Sequence, residues 1–304
     1  MAAGPGGVSS KITPDPIYTP RMTKRSVLLA VLLTALAGAY GYAQQFGTEP
    51  AKLQVVKLAD DLFVIHNDFV PGNTTALVTT AGVILVDDKF EIDHANVIKQ
   101  LKTFTSQPVK YVINTHYHAD HSGGNAKLQA LGAQAVSSEK ARERMVSGKQ
   151  SGLTDLTFDQ RMHLRLGGKQ VDLYYFGRAH TDGDIVAHFP RHRLLAAGDM
   201  FAYGDATPEL IDYAGGGSAK DWPATLDKAL ALDFQQVVPG HGVVTTKAEM
   251  KKFRDSTQAL YTRVKTMNSQ KKSKAEIEKA MRSEFKWADL HVQLGLDGVI
   301  NEAK

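Results

Sequence analysis

Between Asn114 and His121 the chain reads Asn-Thr-His-Tyr-His-Ala-Asp-His, and no other stretch restricts the fold so tightly. The run before it, Val109 to Ile113, is largely apolar and rich in β-branched residues, which predicts a buried strand. Ser122-Gly123-Gly124-Asn125 after it predicts a turn leading into a helix. On extended backbone His116 and His118 point the same way, because side chains alternate. Two neutral imidazoles on one side can grip one metal ion, and Asp120 and His121, where the chain bends, can grip a second. Four donors within six residues are too dense for a polar loop that merely faces solvent. The chain has no cysteine, so it has no disulfide and no thiolate nucleophile, and any metal is held by His and carboxylate alone.

His-x-His-x-Asp-His behind a strand resembles the metallo-β-lactamase superfamily of metal-dependent hydrolases. The resemblance demands further ligands downstream at strand ends, and the chain carries matching motifs in order. Gly177-Arg178-Ala179-His180-Thr181-Asp182-Gly183-Asp184 resembles the second histidine motif. Leu194-Leu195-Ala196-Ala197-Gly198-Asp199 resembles the apolar strand ending in a bridging carboxylate, and Val237-Val238-Pro239-Gly240-His241-Gly242 the last histidine motif. The matching stretch runs from about Lys52 to Val244. The resemblance implies an α/β fold, an αββα sandwich of two mixed sheets flanked by helices. It implies one site of His116, His118 and His180, a second of Asp120, His121 and His241, and Asp199 bridging them. The implied cofactors are two zinc ions per chain, and the same donors suit iron or manganese. The two ions lower the pKa of the water between them, and the resulting hydroxide attacks a carbonyl carbon. The resemblance also implies that Asp120 is the catalytic residue, positioning the nucleophile and shuttling its proton. Asp87, ending the run Val83 to Val86, resembles an Asp that orients a ligand without binding metal. Asp199 stands where one subclass of β-lactamases has Cys, a pattern similar to glyoxalase II and the lactonases.

The chain has 304 residues, 43% hydrophobic and 22% charged, as in a globular protein with a sizeable core. Its formal charge is +4, but the first 43 residues hold Lys11, Arg21, Lys24 and Arg25 against Asp15 alone. The rest is nearly neutral, which argues against nucleic acid as a partner. Those 43 residues read as targeting. Lys24-Arg25 precedes an apolar run from Val27 to Ala39, and Gly41-Tyr42-Ala43 offers a cleavage site. The run is shorter than the roughly 20 residues that span a bilayer. The expected organisation is a disordered or superfluous start over 1–21 (Met22 being a second start), a signal peptide over 22–43, a catalytic domain over 44–270 and a helical extension over 271–304. The expected address is periplasmic or secreted, with no stable membrane association after cleavage. No feature of the sequence specifies an oligomeric state.

Along the chain, short alternating runs predict strands at 53–58, 62–66, 75–79 and 83–86, and an apolar stripe predicts a helix over 91–104. Strand and helix signals continue through a hairpin at 162–176 and a second hairpin at 185–197, whose turn leaves His192 solvated. Residues 147–158 read as a mobile or inserted loop beside the substrate. His66, His94 and His163 have no second donor at metal spacing and read as structural. The irregular stretch 200–217 is long enough to be functional. Tyr203 in it and the exposed-looking Phe69 in the loop 67–73 are candidate substrate-binding residues. Ser218 is expected to cap a helix over 219–232, and Thr246 opens a long charged helix to about Ser269 with a solvated Lys/Arg face.

Three functions suit these motifs. The first is an exported dinuclear zinc hydrolase of a small molecule, opening a cyclic amide or ester of β-lactam or lactone type, with a thioester of the glyoxalase II kind as its variant. The second is an iron-dependent redox enzyme of the same superfamily. The third is a binding protein that kept the fold, against which an intact seven-ligand set argues.

Overall fold

Residues 62–65, 83–86 and 194–197 are apolar at every position, and strands of that kind are buried on both faces. The computed structural model describes Met1 and residues 49–204 and 209–304, and the elements below all lie in the unit formed by residues 46–304. The leader read from the sequence lies outside the described residues.

The first sheet has seven strands in sequence order: β1 (Gln54–Ala59), β2 (Leu62–His66), β3 (Thr74–Thr79), β4 (Gly82–Val86), β5 (Val109–Ile113), β6 (Gln134–Ser138) and β7 (Leu156–Phe158). β1 to β4 form an antiparallel meander, and β4 to β7 run parallel. The second sheet is built from β8 (Arg161–Leu166), β9 (Lys169–Tyr175), β10 (Ile185–Phe189), β11 (Leu194–Gly198), β12 (Gln236–Pro239) and β13 (Thr245–Thr246). Its order is β13-β12-β11-β10-β9-β8, with β11 and β12 its parallel pair.

Alternation along these strands sorts the side chains into three cores. Leu62, Val64, Ile84, Val86 and Ile113 of the first sheet meet Leu173, Ile185, Ala187, Phe189, Leu194 and Ala196 of the second, so the sheets pack face to face. The opposite face of the first sheet (Phe63, Ile65, Val83, Leu85) lies under Val97 and Leu101 of α1 (His94–Leu101). The opposite face of the second sheet, including Val186, Leu195, Ala197 and Val237, is covered by α5 (Trp222–Leu230), α6 (Lys247–Ser269), α7 (Lys274–Phe285) and α8 (Asp289–Glu302). Three short helices complete the set on the first sheet's side: α2 (Ala119–Ser122), α3 (Asn125–Ala130) and α4 (Glu139–Ser147). The order of layers is helix, sheet, sheet, helix. Each is a mixed sheet whose second face needs a helical cover because it too is apolar.

Several local readings are corrected. β5 ends at Ile113 and leaves His116 and His118 in the loop after it, as expected, but Asp120 and His121, expected at a bend, sit in α2. Residues 91–104 divide into a 3-10 turn (Glu91–Asp93) and α1. The stretch 147–158 is not loop throughout: Leu156–Phe158 forms edge strand β7, and Gln150 Nε2 donates to Tyr117 O at 2.7 Å. α5 begins at Trp222, and Ser218 Oγ instead accepts from Asp221 N in the turn ahead of it. His192 is not solvated, because its Nε2 lies 2.8 Å from Asp61 Oδ1.

Candidate metal centre

Parallel strands bring their C-terminal ends to one edge, and here β4 and β5 do so in one sheet and β11 and β12 in the other. The loops after these four strands carry Asp87, the 114–121 segment, Asp199 and His241. The turn between β9 and β10 adds His180. The structure brings together all seven residues singled out from the motifs, in two groups. His116, His118, His180 and Asp199 form one, and Asp120, His121 and His241 the other.

Within the first group His118 Nδ1 lies 3.0 Å from both His116 Nε2 and His180 Nε2. In the second, His121 Nε2 and His241 Nε2 are 3.3 Å apart, and Asp120 Oδ2 is 3.4 Å from His241 Nε2. Asp199 spans the two groups. Its Oδ2 faces His116 and His180 at 3.8 and 3.6 Å, and its Oδ1 faces His121 and His241 at 3.2 and 3.3 Å. Gly240 makes room for that carboxylate, since a Cβ at this position would overlap Asp199 Oδ1.

The protonation of the rings follows from their outer partners. His180 Nδ1 meets Leu210 O at 2.7 Å and His241 Nδ1 meets Phe69 O at 2.8 Å. A carbonyl only accepts, so both nitrogens donate and both Nε2 atoms keep a lone pair. His118 Nε2 faces Asp212 Oδ2 at 2.9 Å, and His121 Nδ1 faces Asp87 Oδ2 at 2.8 Å, with the same result. Thr115 Oγ1 donates to Asp87 Oδ2 at 2.8 Å, so at its 3.1 Å contact with His116 Nδ1 it accepts. Five imidazoles, when neutral, thus aim lone pairs inward. Two nitrogens bound to one tetrahedral ion at about 2.1 Å lie roughly 3.4 Å apart, close to the spacing here. Asp199 Oδ1 is buried and accepts no hydrogen bond among the described residues. The donor set therefore fits cations, because shared protons cannot satisfy so many convergent lone pairs.

Charge on the metal-free donors points the same way. Burial would lower His121, but Asp199, Asp120 and Asp87 outweigh it and raise its pKa well above the ordinary value. Burial would raise Asp199, but His241 and His121 hold it well below the usual carboxylate range. His116 and His180, buried and facing other imidazoles, are lowered. Protons and metal ions compete for one centre.

Some contributors were not legible in the sequence. Asp212 lies in an irregular loop with no motif around it, yet it accepts from His118, from Tyr117 Oη at 2.5 Å and from Gly215 N at 2.9 Å. Thr115 and Tyr117 stood inside the motif as spacers. Of the candidate substrate residues, Phe69 is 44% exposed and its ring lies 5.1 Å from that of His241, at the rim of the centre. Tyr203 packs instead against the core under α5 to α8, beside Phe201, and only its backbone N reaches His241 O, at 2.9 Å. Asp87 touches Thr115 and His121 and no member of the first group. His66 bonds Asn73, and His163 bonds Asp172. His94 opens α1, and none of these three joins either group.

Known proteins share this architecture. The family model described as the metallo-beta-lactamase superfamily matches residues 67–241. The type 2 metallo-beta-lactamase of Elizabethkingia meningoseptica is 27% identical over 227 residues, covering 72% of this chain and 87% of that protein. That of Bacillus cereus is 28% identical over 188 residues, covering 60% and 72%. Among solved structures, the metallo-beta-lactamase from Pontibacter korlensis superposes with a TM-score of 0.62 at 23% identity, covering 68% of this chain and 99% of that one. The last likeness speaks for the fold alone.

Proposed function

Because the chain belongs to the metallo-beta-lactamase superfamily and is a metal-dependent hydrolase of small molecules, we propose that it is an exported dinuclear zinc enzyme that opens a cyclic amide or ester. The observation that carries this reading is the pair of inward-facing donor groups with Asp199 between them. His116, His118 and His180 would hold one ion and Asp120, His121 and His241 the other, with the Asp199 carboxylate facing both groups. When bound, the ions supply a nucleophile at neutral pH by acidifying water, and a Lewis acid for the substrate carbonyl.

The chain's own residues do the rest. Asp212, Asp87, Thr115 and the carbonyls of Leu210 and Phe69 hold each imidazole in the neutral tautomer that binds metal. Asp120, at the start of α2, would orient the nucleophile and accept its proton. Phe69 offers an apolar wall at the open rim, against which the non-reacting part of a substrate can shed water. No helix among the described residues is long and apolar enough to cross a membrane. The leader signals in residues 22–43 support an exported catalytic domain starting at Gln44, extended past residue 270 by α7 and α8. That extension is tied down by Asn268 Nδ2 donating to Ile300 O at 2.9 Å.

The test is a hydrolysis panel with zinc-loaded protein: nitrocefin, an acyl lactone and an acyl thioester, each with and without a chelator. The reading expects close to two zinc ions per chain and chelator-sensitive opening of the first or second substrate. Turnover of the thioester alone reassigns the substrate class, and co-purifying iron with no hydrolysis overturns the reading. Intact mass of the exported form should begin at Gln44; a form retaining Val27 to Ala39 in the membrane fraction would mean an anchor instead.

A further inference from the structure

Lys89 is fully buried, with 0% exposure, three residues beyond the end of β4. Its backbone is left-handed at φ 67°, and Asp87 beside it is at 60°. Neither residue is glycine, so both conformations cost energy that the surroundings must supply. Among the described residues its Nζ has no carboxylate at ion-pair distance. It donates to Asn67 Oδ1 at 2.7 Å and Gly72 O at 2.6 Å. An amine buried this way is unfavourable unless it secures something else. Burial, opposed by the more distant Asp93, Asp87 and Asp120, pushes its pKa down to about 7.

What it secures is the loop between β2 and β3. Asn67 Nδ2 closes that loop on Pro71 O at 2.8 Å. Three of the loop's attachments then run to the second donor group. Phe69 O accepts from His241 Nδ1, Gly72 N donates to Asp120 O at 3.2 Å, and Gly72 abuts the His121 ring so closely that a Cβ would overlap it. From the other side Lys89 O accepts from Gly123 N at 2.9 Å, fixing the end of the helix that carries Asp120 and His121. The outer partners of His116, His118 and His180 are Thr115, Asp212 and Leu210, and none is on this loop.

We infer that Lys89 is a positioning residue for the second donor group: its buried amine clamps the Asn67–Gly72 loop and thereby sets the placement of Asp120, His121 and His241. It touches neither substrate nor metal. The inference rests on the two-ion reading above.

The experiment is a zinc titration of metal-depleted full-length wild type, Lys89→Met and Asn67→Ala against a chromogenic chelator, with kcat and KM measured at low and high zinc. Losing an outer partner of a metal ligand typically weakens binding about 10–100-fold. In Lys89→Met the weaker-bound ion should lose about 10-fold or more, and the ion held by His116, His118 and His180 should stay within about twofold. The lost kcat should return at high zinc. Asn67→Ala, which removes one of two acceptors, should do the same to a smaller degree. Equal weakening of both ions, or none, in a variant with the wild-type circular dichroism spectrum overturns the inference. If Lys89→Met does not fold, Asn67→Ala decides by the same criterion. Wild type that takes up one ion or none fails the two-ion reading itself, and the clamp with it.

Discussion

Asp212→Asn isolates the contribution of a group that touches a histidine but no cation. In the wild type the Asp212 carboxylate accepts from His118 Nε2 at 2.9 Å, Tyr117 Oη at 2.5 Å and Gly215 N at 2.9 Å. An amide has one acceptor oxygen, so its NH2 group must face at least one of these donors. If the oxygen stays with Gly215, His118 loses its acceptor and the tautomer that points Nδ1 inward is no longer enforced. Charge-assisted hydrogen bonds contribute about 1.5–3 kcal/mol, against roughly 1 kcal/mol for neutral ones. The expected loss at the His116/His118/His180 group is therefore about 1.4–2.7 kcal/mol, or 10–100-fold in zinc affinity. The assay is zinc competition with a chelator in a His241→Ala background, which leaves that group as the tight site. The metal-free variant should also lose stability near pH 7. The donors of His118 and Tyr117 outweigh burial and hold the Asp212 carboxyl well below its ordinary 3.8. A depressed carboxyl stabilises the fold above its unfolded pKa, and that contribution fades as the pH falls below it. Zinc affinity within about twofold of the background, with an unchanged urea midpoint at pH 7, would refute the reasoning.

Three further outcomes are expected. Asp199→Ala removes the one carboxylate facing both groups, so both ions should weaken by at least about 10-fold, as read by elemental analysis after dialysis; unchanged uptake of two ions would mean that Asp199 is no bridge. His291, in α8, is lowered to about 4 by burial, so its contribution to stability is present above 6.5 and is lost as the pH falls through about 4. His291→Leu should accordingly shrink the drop in urea midpoint between pH 7 and pH 4.5. Glu302, also in α8, accepts from Tyr213 Oη at 2.7 Å, Lys220 N at 3.1 Å and Ser218 Oγ, holding the loop that contains Asp212. Glu302→Ala should cost about 2 kcal/mol, a fall in Tm of roughly 4–8 °C by calorimetry.

What the sequence determined by itself follows from local rules. Continuous apolar runs such as Leu62–Ile65 and Leu194–Ala197 specify strands covered on both faces, and helical stripes between and after them specify what covers them. The donor residues were legible because each lies in a short motif that follows a strand, and a sandwich collects the segments after its strands at one edge. Asp87 apart, the tertiary structure decided which groups stand behind those donors. Asp212 is 94 residues from His118 and carries no motif, and Lys89 looks like an ordinary surface lysine until β4 delivers it beneath the Asn67–Gly72 loop. The outward-facing nitrogens of His180 and His241 depend on backbone carbonyls at Leu210 and Phe69, which any residue type could provide. Tyr203 shows the converse, an aromatic in the right loop that turns into the core because Phe201 and the helical layer offer it apolar surface. Ligand identity is a property of side chains and survives in the sequence, whereas ligand orientation comes from contacts between distant segments, which only the folded chain brings into being.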